Sequence, residues 1–145
     1  MRDSTSIKLD FLESIGCSEK THTGRTLIEH LMGVRRTLKE WGAPEYLQDA
    51  GLFHAVYGTA YYKSQMTVVR DQVRDLIGEH AEEICFLFCT IPHPRNDNIN
   101  NIEDEQLRID LLVLTEANID DEAHRPRRLK NWRKKMILGR EVYNI

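Results

Sequence analysis

One stripe of apolar residues constrains this chain more than any other feature. Leu27, Leu31, Val34, Leu38 and Trp41 step by four, three, four and three. That period is an α-helix with one buried face; a strand would alternate every second residue. Gly42 ends the stripe and Pro44 opens the next segment, a stop followed by a start. The stripe predicts a helix from about Arg25 to Trp41. Ahead of it, Ile7, Phe11, Leu12 and Ile15 predict a helix over about Ser4 to Ile15, closed by Gly16. A third, Pro44 to Tyr57, turns apolar all round from Ala50 onward, the pattern of a central buried helix. Val68, Val69, Val73, Leu76 and Ile77 predict a fourth, and Glu79 to Ile91 a fifth, broken by Pro92 and Pro94. The stretch IPHPRNDNINNIED reads as the longest structureless loop and as a candidate lid. A sixth helix starts near Glu103 with Leu107, Leu111, Leu114 and Ala117, and a basic terminal helix is expected over about 126–142. No strand pattern and no repeat is visible. The expectation is one compact all-α helical bundle, its core over about residues 7–120.

Size and charge narrow the function classes. A chain of 145 residues suits one domain. Lys plus Arg number 20 and Asp plus Glu 23, a formal charge of −3, which excludes a globally basic nucleic-acid binder. No apolar run approaches the roughly 18–20 residues that span a bilayer, so no membrane partner is expected. The segment MRDSTSIKLD lacks the apolar core of a signal peptide. Three cysteines are an odd, sparse set, and Cys85 and Cys89, one turn apart in an apolar run, read as buried reduced thiols. Together these predict a cytoplasmic protein; assembly into a homo-oligomer stays open.

The charge is unevenly spread. Nine acidic residues fall between Asp97 and Glu122, and eight basic ones between Arg125 and Arg140. The basic tail reads as a solvated amphipathic helix whose Leu129, Trp132, Met136 and Ile137 pack on the bundle. A nucleic-acid or acidic-partner patch is the weaker reading of the same residues.

Among six histidines, two hold telling positions. If the second and third helices form an antiparallel hairpin around Ala43, His30 lies 13 residues before the turn and His54 11 after it. At about 1.5 Å rise per residue, the imidazoles differ in height by about 3 Å. Two level histidines in a helical core make the geometry of a metal or catalytic site, and burial keeps them neutral. The plainer alternative is a pair of hydrogen-bonded core histidines. His93, in the proline-flanked loop, reads as a solvent-exposed residue or a proton shuttle. His80 and His124 read as surface residues.

At these residues a resemblance begins. AGLFHAVYG resembles the second motif of the HD-domain superfamily of metal-dependent phosphohydrolases, in which an apolar helix carries a His-Asp pair. In that superfamily a first histidine lies upstream and a further aspartate downstream. His30 matches the first histidine, His54 the histidine of the pair, and Asn118, in LLVLTEANIDDE, the downstream position. Two departures stand out: Ala55 replaces the aspartate of the pair and Asn118 the other. Without those carboxylates the usual two-metal hydrolytic site is not expected.

A closer resemblance covers roughly residues 7–120. THTGRTLIEHL, WGAPEYLQDAGLFHAVYGT and IGEHAEEICFLFCT resemble a family of small HD-like proteins without an assigned activity. His22, Arg25, His30, His54, Tyr57, Thr59 and Asn118 fall on its motif positions. His22 and Arg25 bracket Gly24 at a helix start, a place suited to an anion, and Arg25 adds a forked donor; a surface pairing of Arg25 with Glu29 is the alternative. Tyr57, one turn past His54, points its hydroxyl into the same site or simply packs in the core. Thr59 follows the Gly58 helix stop and hydrogen-bonds locally or to a ligand. Asn118, in an apolar helix, needs a hydrogen-bond partner, whether His30, His54 or a ligand.

These residues predict a small HD-like enzyme acting on a small anionic molecule. His54, His30 and Tyr57 are the expected catalytic residues, with His22, Arg25, Thr59 and Asn118 binding substrate. His30 and His54 are the expected ligands of one divalent transition metal: zinc, iron(II) or nickel, which imidazoles favour over magnesium. A metal-dependent hydrolase, an oxygenase, or a metal-free isomerase or lyase all fit. The alternative is a degenerate HD-like module that binds a nucleotide or small anion without catalysis.

Overall fold

The computed structural model describes residues 4–18, 26–58 and 70–122. Among them lie seven helices and no β-strand: α1 (Ser4–Ser14), α2 (Leu27–Glu40), α3 (Glu45–Leu52), α4 (Arg70–Ile77), α5 (Glu79–Thr90), α6 (Arg95–Ile99) and α7 (Glu105–Glu122). The all-α expectation is met. No helix among the described residues is long and apolar enough to cross a membrane. The expected basic helix over 126–142 lies outside the described residues.

Helix α2 organises the bundle. Thr26 starts it with a capping box: its hydroxyl accepts the Glu29 N–H at 3.1 Å, and the Glu29 carboxylate accepts the Thr26 N–H at 3.2 Å. The stripe from Leu27 to Trp41 is buried along its whole length. α2 packs on α3 and on α7, and α3 also packs on α5. Gly51 permits the α2–α3 approach, since a Cβ there would lie 3.1 Å from Val34 Cγ1 and 2.5 Å from Leu38 Cδ1. Asp49 adds a polar tie. It accepts from Lys8 Nζ at 3.0 Å and Arg35 Nη1 at 2.7 Å, joining α1, α2 and α3.

Two segments differ from the sequence expectation. The third helix ends at Leu52, not Tyr57. The Phe53 N–H still reaches back to the Asp49 carbonyl, but residues 53–57 run through turns and Gly58 closes them at φ 85°. The stretch after Ile91 is not a structureless lid: it contains α6, anchored by the fully buried Ile99.

Candidate functional site

The hairpin of α2 and α3 brings His30 and His54 together. Their ring centroids are 5.2 Å apart and the rings cross at 83°. Both side chains are buried, as the height argument requires.

His30 is gripped by α7. Its Nδ1 lies 2.7 Å from Asp121 Oδ2, and its Nε2 lies 2.7 Å from Asn118 Oδ1. Asn118 and Asp121 are three residues apart and share one face of α7. The Asp121 carboxylate fixes Nδ1 as the protonated, donating nitrogen. At Nε2 the Asn118 amide serves either form of the ring, accepting through Oδ1 or, rotated, donating through Nδ2. The Glu122 carboxylate stands 3.8 Å from Nε2. Gly33, one turn along α2 from His30, leaves the room that Asp121 fills.

His54 is held from its own chain. It lies in the turns after α3, and its Nδ1 donates to the Gly51 carbonyl at 2.7 Å. The Cys89 thiol on α5 donates to the His54 carbonyl at 3.0 Å, tying that turn down. Phe88 meets the ring edge-on, 5.4 Å between centroids. The His54 pKa is lowered to about 3, chiefly by burial and then by the neighbouring His30 and Arg95, against the Gly51 carbonyl and Asp121, which raise it. His54 is therefore a neutral imidazole with its proton on Nδ1 and its lone pair on Nε2.

Both histidines thus have Nδ1 tied to an oxygen, Asp121 for one and Gly51 for the other. That backing fixes the orientation of both rings; it leaves Nε2 of His54 as a working nitrogen, for a ligated ion or a transferred proton, while Nε2 of His30 is held by Asn118. The superfamily's two-metal arrangement does not fit. Ala55 is buried and carries no donor, and Asn118 gives the downstream position an amide. Among the described residues no group of three or more His, Cys, Asp or Glu side chains is gathered for a metal ion.

Of the other expected site residues, Tyr57 is placed elsewhere. Its hydroxyl donates to Glu82 Oε2 at 2.8 Å, because the chain leaves the helix before Tyr57 and the one-turn register from His54 is lost. Glu82 is buried and also accepts twice from Arg70, at 2.7 and 2.9 Å. Burial raises its pKa, but the bonds from Arg70 and Tyr57 outweigh that and hold the carboxyl below its usual range. His22, Arg25 and Thr59 lie outside the described residues. His93 is exposed, and the ring of His80 rests 4.3 Å from that of Tyr46.

Two residues escaped the sequence reading. Asp121 stood in an acidic run that looked solvated, yet it is buried and bonded to His30. Its signal was the i, i+3 spacing from Asn118. Arg95, in the expected lid, stands over the Phe88 ring at 4.1 Å.

The model of one protein family, described as a domain of unknown function (DUF6817), matches residues 11–93. That span holds His30 and His54 and stops short of Asn118 and Asp121. No curated protein and no solved structure matches the chain.

Proposed function

Because the chain belongs to the DUF6817 family, a domain whose function is unknown, we propose an activity from the site alone: a small enzyme that moves a proton on a small anionic molecule. His54 is the base and His30 its partner. The observation that carries this reading is the shared backing of the two rings, Nδ1 of each tied to an oxygen. His54 accepts a proton at Nε2; its low basicity in the empty site rises as a bound anion replaces lost solvation. His30, held by Asp121 and Asn118, stands beside the His54 ring and helps to position the substrate there. Isomerases and lyases need such a pair, and so does the hydrolysis that the HD-like motifs suggest. A single zinc, iron(II) or nickel ion would be held by Nε2 of His54 and by Nε2 of His30 once Asn118 releases it, and would supply Lewis-acid chemistry there.

The test is a comparison of wild type with His54→Gln. Each is incubated with a pool of small anionic metabolites in D2O and the pool is read by mass spectrometry. A metabolite converted or deuterated by the wild type alone supports catalysis. Indistinguishable spectra overturn it and leave the binding module as the function. Elemental analysis of the purified wild type addresses the metal: zinc, iron or nickel at one per chain supports it, and none removes it.

A further inference from the structure

Besides Arg25, which lies outside the described residues, the structure offers a second candidate for binding an anion. Arg95 opens the short helix α6, where the buried Ile99 pins the segment to the core. Its guanidinium carbon lies 4.1 Å from the centroid of Phe88, a cation–π contact. Phe88 is the ring that meets His54 edge-on at 5.4 Å. Arg95 and His54 therefore both contact the Phe88 ring. The side chain is half-buried, so its charge is partly desolvated, and its field reaches His54, whose protonation it disfavours.

We propose that Arg95 binds the oxyanion, a phosphate or a carboxylate, of the small molecule on which His54 acts. This rests on the His54 site being a small-molecule site. A guanidinium stacked on an aromatic face keeps in-plane N–H donors that match two oxyanion oxygens at once. Phe88 fixes where that fork stands, so the substrate's charged end is set at a constant distance from His54 Nε2. Electrostatics act in the same direction to a lesser degree: Arg95 adds to the low basicity of His54 after burial and His30, and an anion on Arg95 offsets that part.

The experiment uses the whole chain and two probes, inorganic phosphate and formate, titrated separately while the ring resonances of Phe88 and His54 are followed by NMR. Wild type is expected to show saturable shifts at both rings with at least one probe, and the probe that binds more tightly identifies the oxyanion class. Arg95→Met, similar in length and uncharged, is expected to weaken that binding about tenfold or more. Arg95→Lys keeps the charge, loses the fork, and is expected to fall between the two. Absent ring shifts in wild type with both probes overturn the assignment, as does equal affinity in folded Arg95→Met. If Arg95→Met does not fold, the wild-type ring shifts decide alone. Probe binding is read without turnover. Intact binding with no metabolite difference for His54→Gln therefore removes the catalytic reading and leaves Arg95 as an anion site.

Discussion

Gly33 and Asp121 meet where α2 crosses α7: a Cβ on Gly33 would lie 2.6 Å from the Asp121 carboxyl carbon. No real contact is that short, so one methyl group must displace the carboxylate that holds His30. Gly33→Ala is expected to destabilise the fold by about 1–3 kcal/mol, the range for overpacking, although alanine is the better helix former. The same variant should shift the His30 ring resonances, because Asp121 leaves Nδ1. A denaturant melt as stable as wild type, with His30 unmoved, would show that the two helices are not this close.

Asp121→Ala asks a different question of the same pair. It removes the acceptor and opens space, leaving the buried Nδ1–H of His30 unsatisfied. The expected loss is about 1–3 kcal/mol, measured by chemical denaturation. Asp121→Asn keeps an acceptor oxygen and should lose less. If both variants lose equally, the carboxylate's charge and not its geometry is what His30 requires.

The fold was legible where helical period was strong, and the site only in part. The α2 stripe marked a helix, and the hairpin arithmetic set His30 level with His54. It failed at Tyr57 because an all-apolar run looks helical whether or not the chain turns. Residues 53–57 do turn, and the hydroxyl goes to Glu82. It failed at α6 because one buried residue, Ile99, anchors that helix, and a single residue has no period. It failed at Asp121 because acidic residues are expected in water. Asp110, Asp120 and Asp121 are all buried, so this stretch supplies interior hydrogen-bond acceptors as well as surface charge. What the sequence could not carry in each case was a partner from another helix.

The cysteines give a reactivity prediction. Burial raises the Cys17 and Cys89 thiols to about 11 and lifts Cys85 well above its usual value. Thiolate, not thiol, is the nucleophile, so all three should react slowly with iodoacetamide at neutral pH in the native protein. In denaturant all three should label at the rate of a free cysteine. One residue labelling fast in native buffer would contradict the burial of that thiol. If that residue were Cys89, whose thiol bonds to the His54 carbonyl, it would be a rival nucleophile at the site.

The last prediction concerns acid. In the fold His54 stays neutral down to about pH 3, whereas the unfolded chain protonates it near 6.5. Between those values the unfolded state holds one more proton at this residue than the native state. Stability therefore falls as pH drops through the window, and it recovers as pH rises. The slope from one such group approaches about 1.4 kcal/mol per pH unit. Carboxylates titrate in the lower half of the window, so the contribution of His54 must be isolated by difference. His54→Gln removes the titrating ring, and its urea-derived stability should change less steeply than wild type between pH 6.5 and 4.5, whatever its absolute value. Parallel curves for the two proteins would mean that His54 takes up its proton in the fold as readily as in the unfolded chain. Its Nε2 lone pair would then not be the resting base on which the proposed chemistry depends.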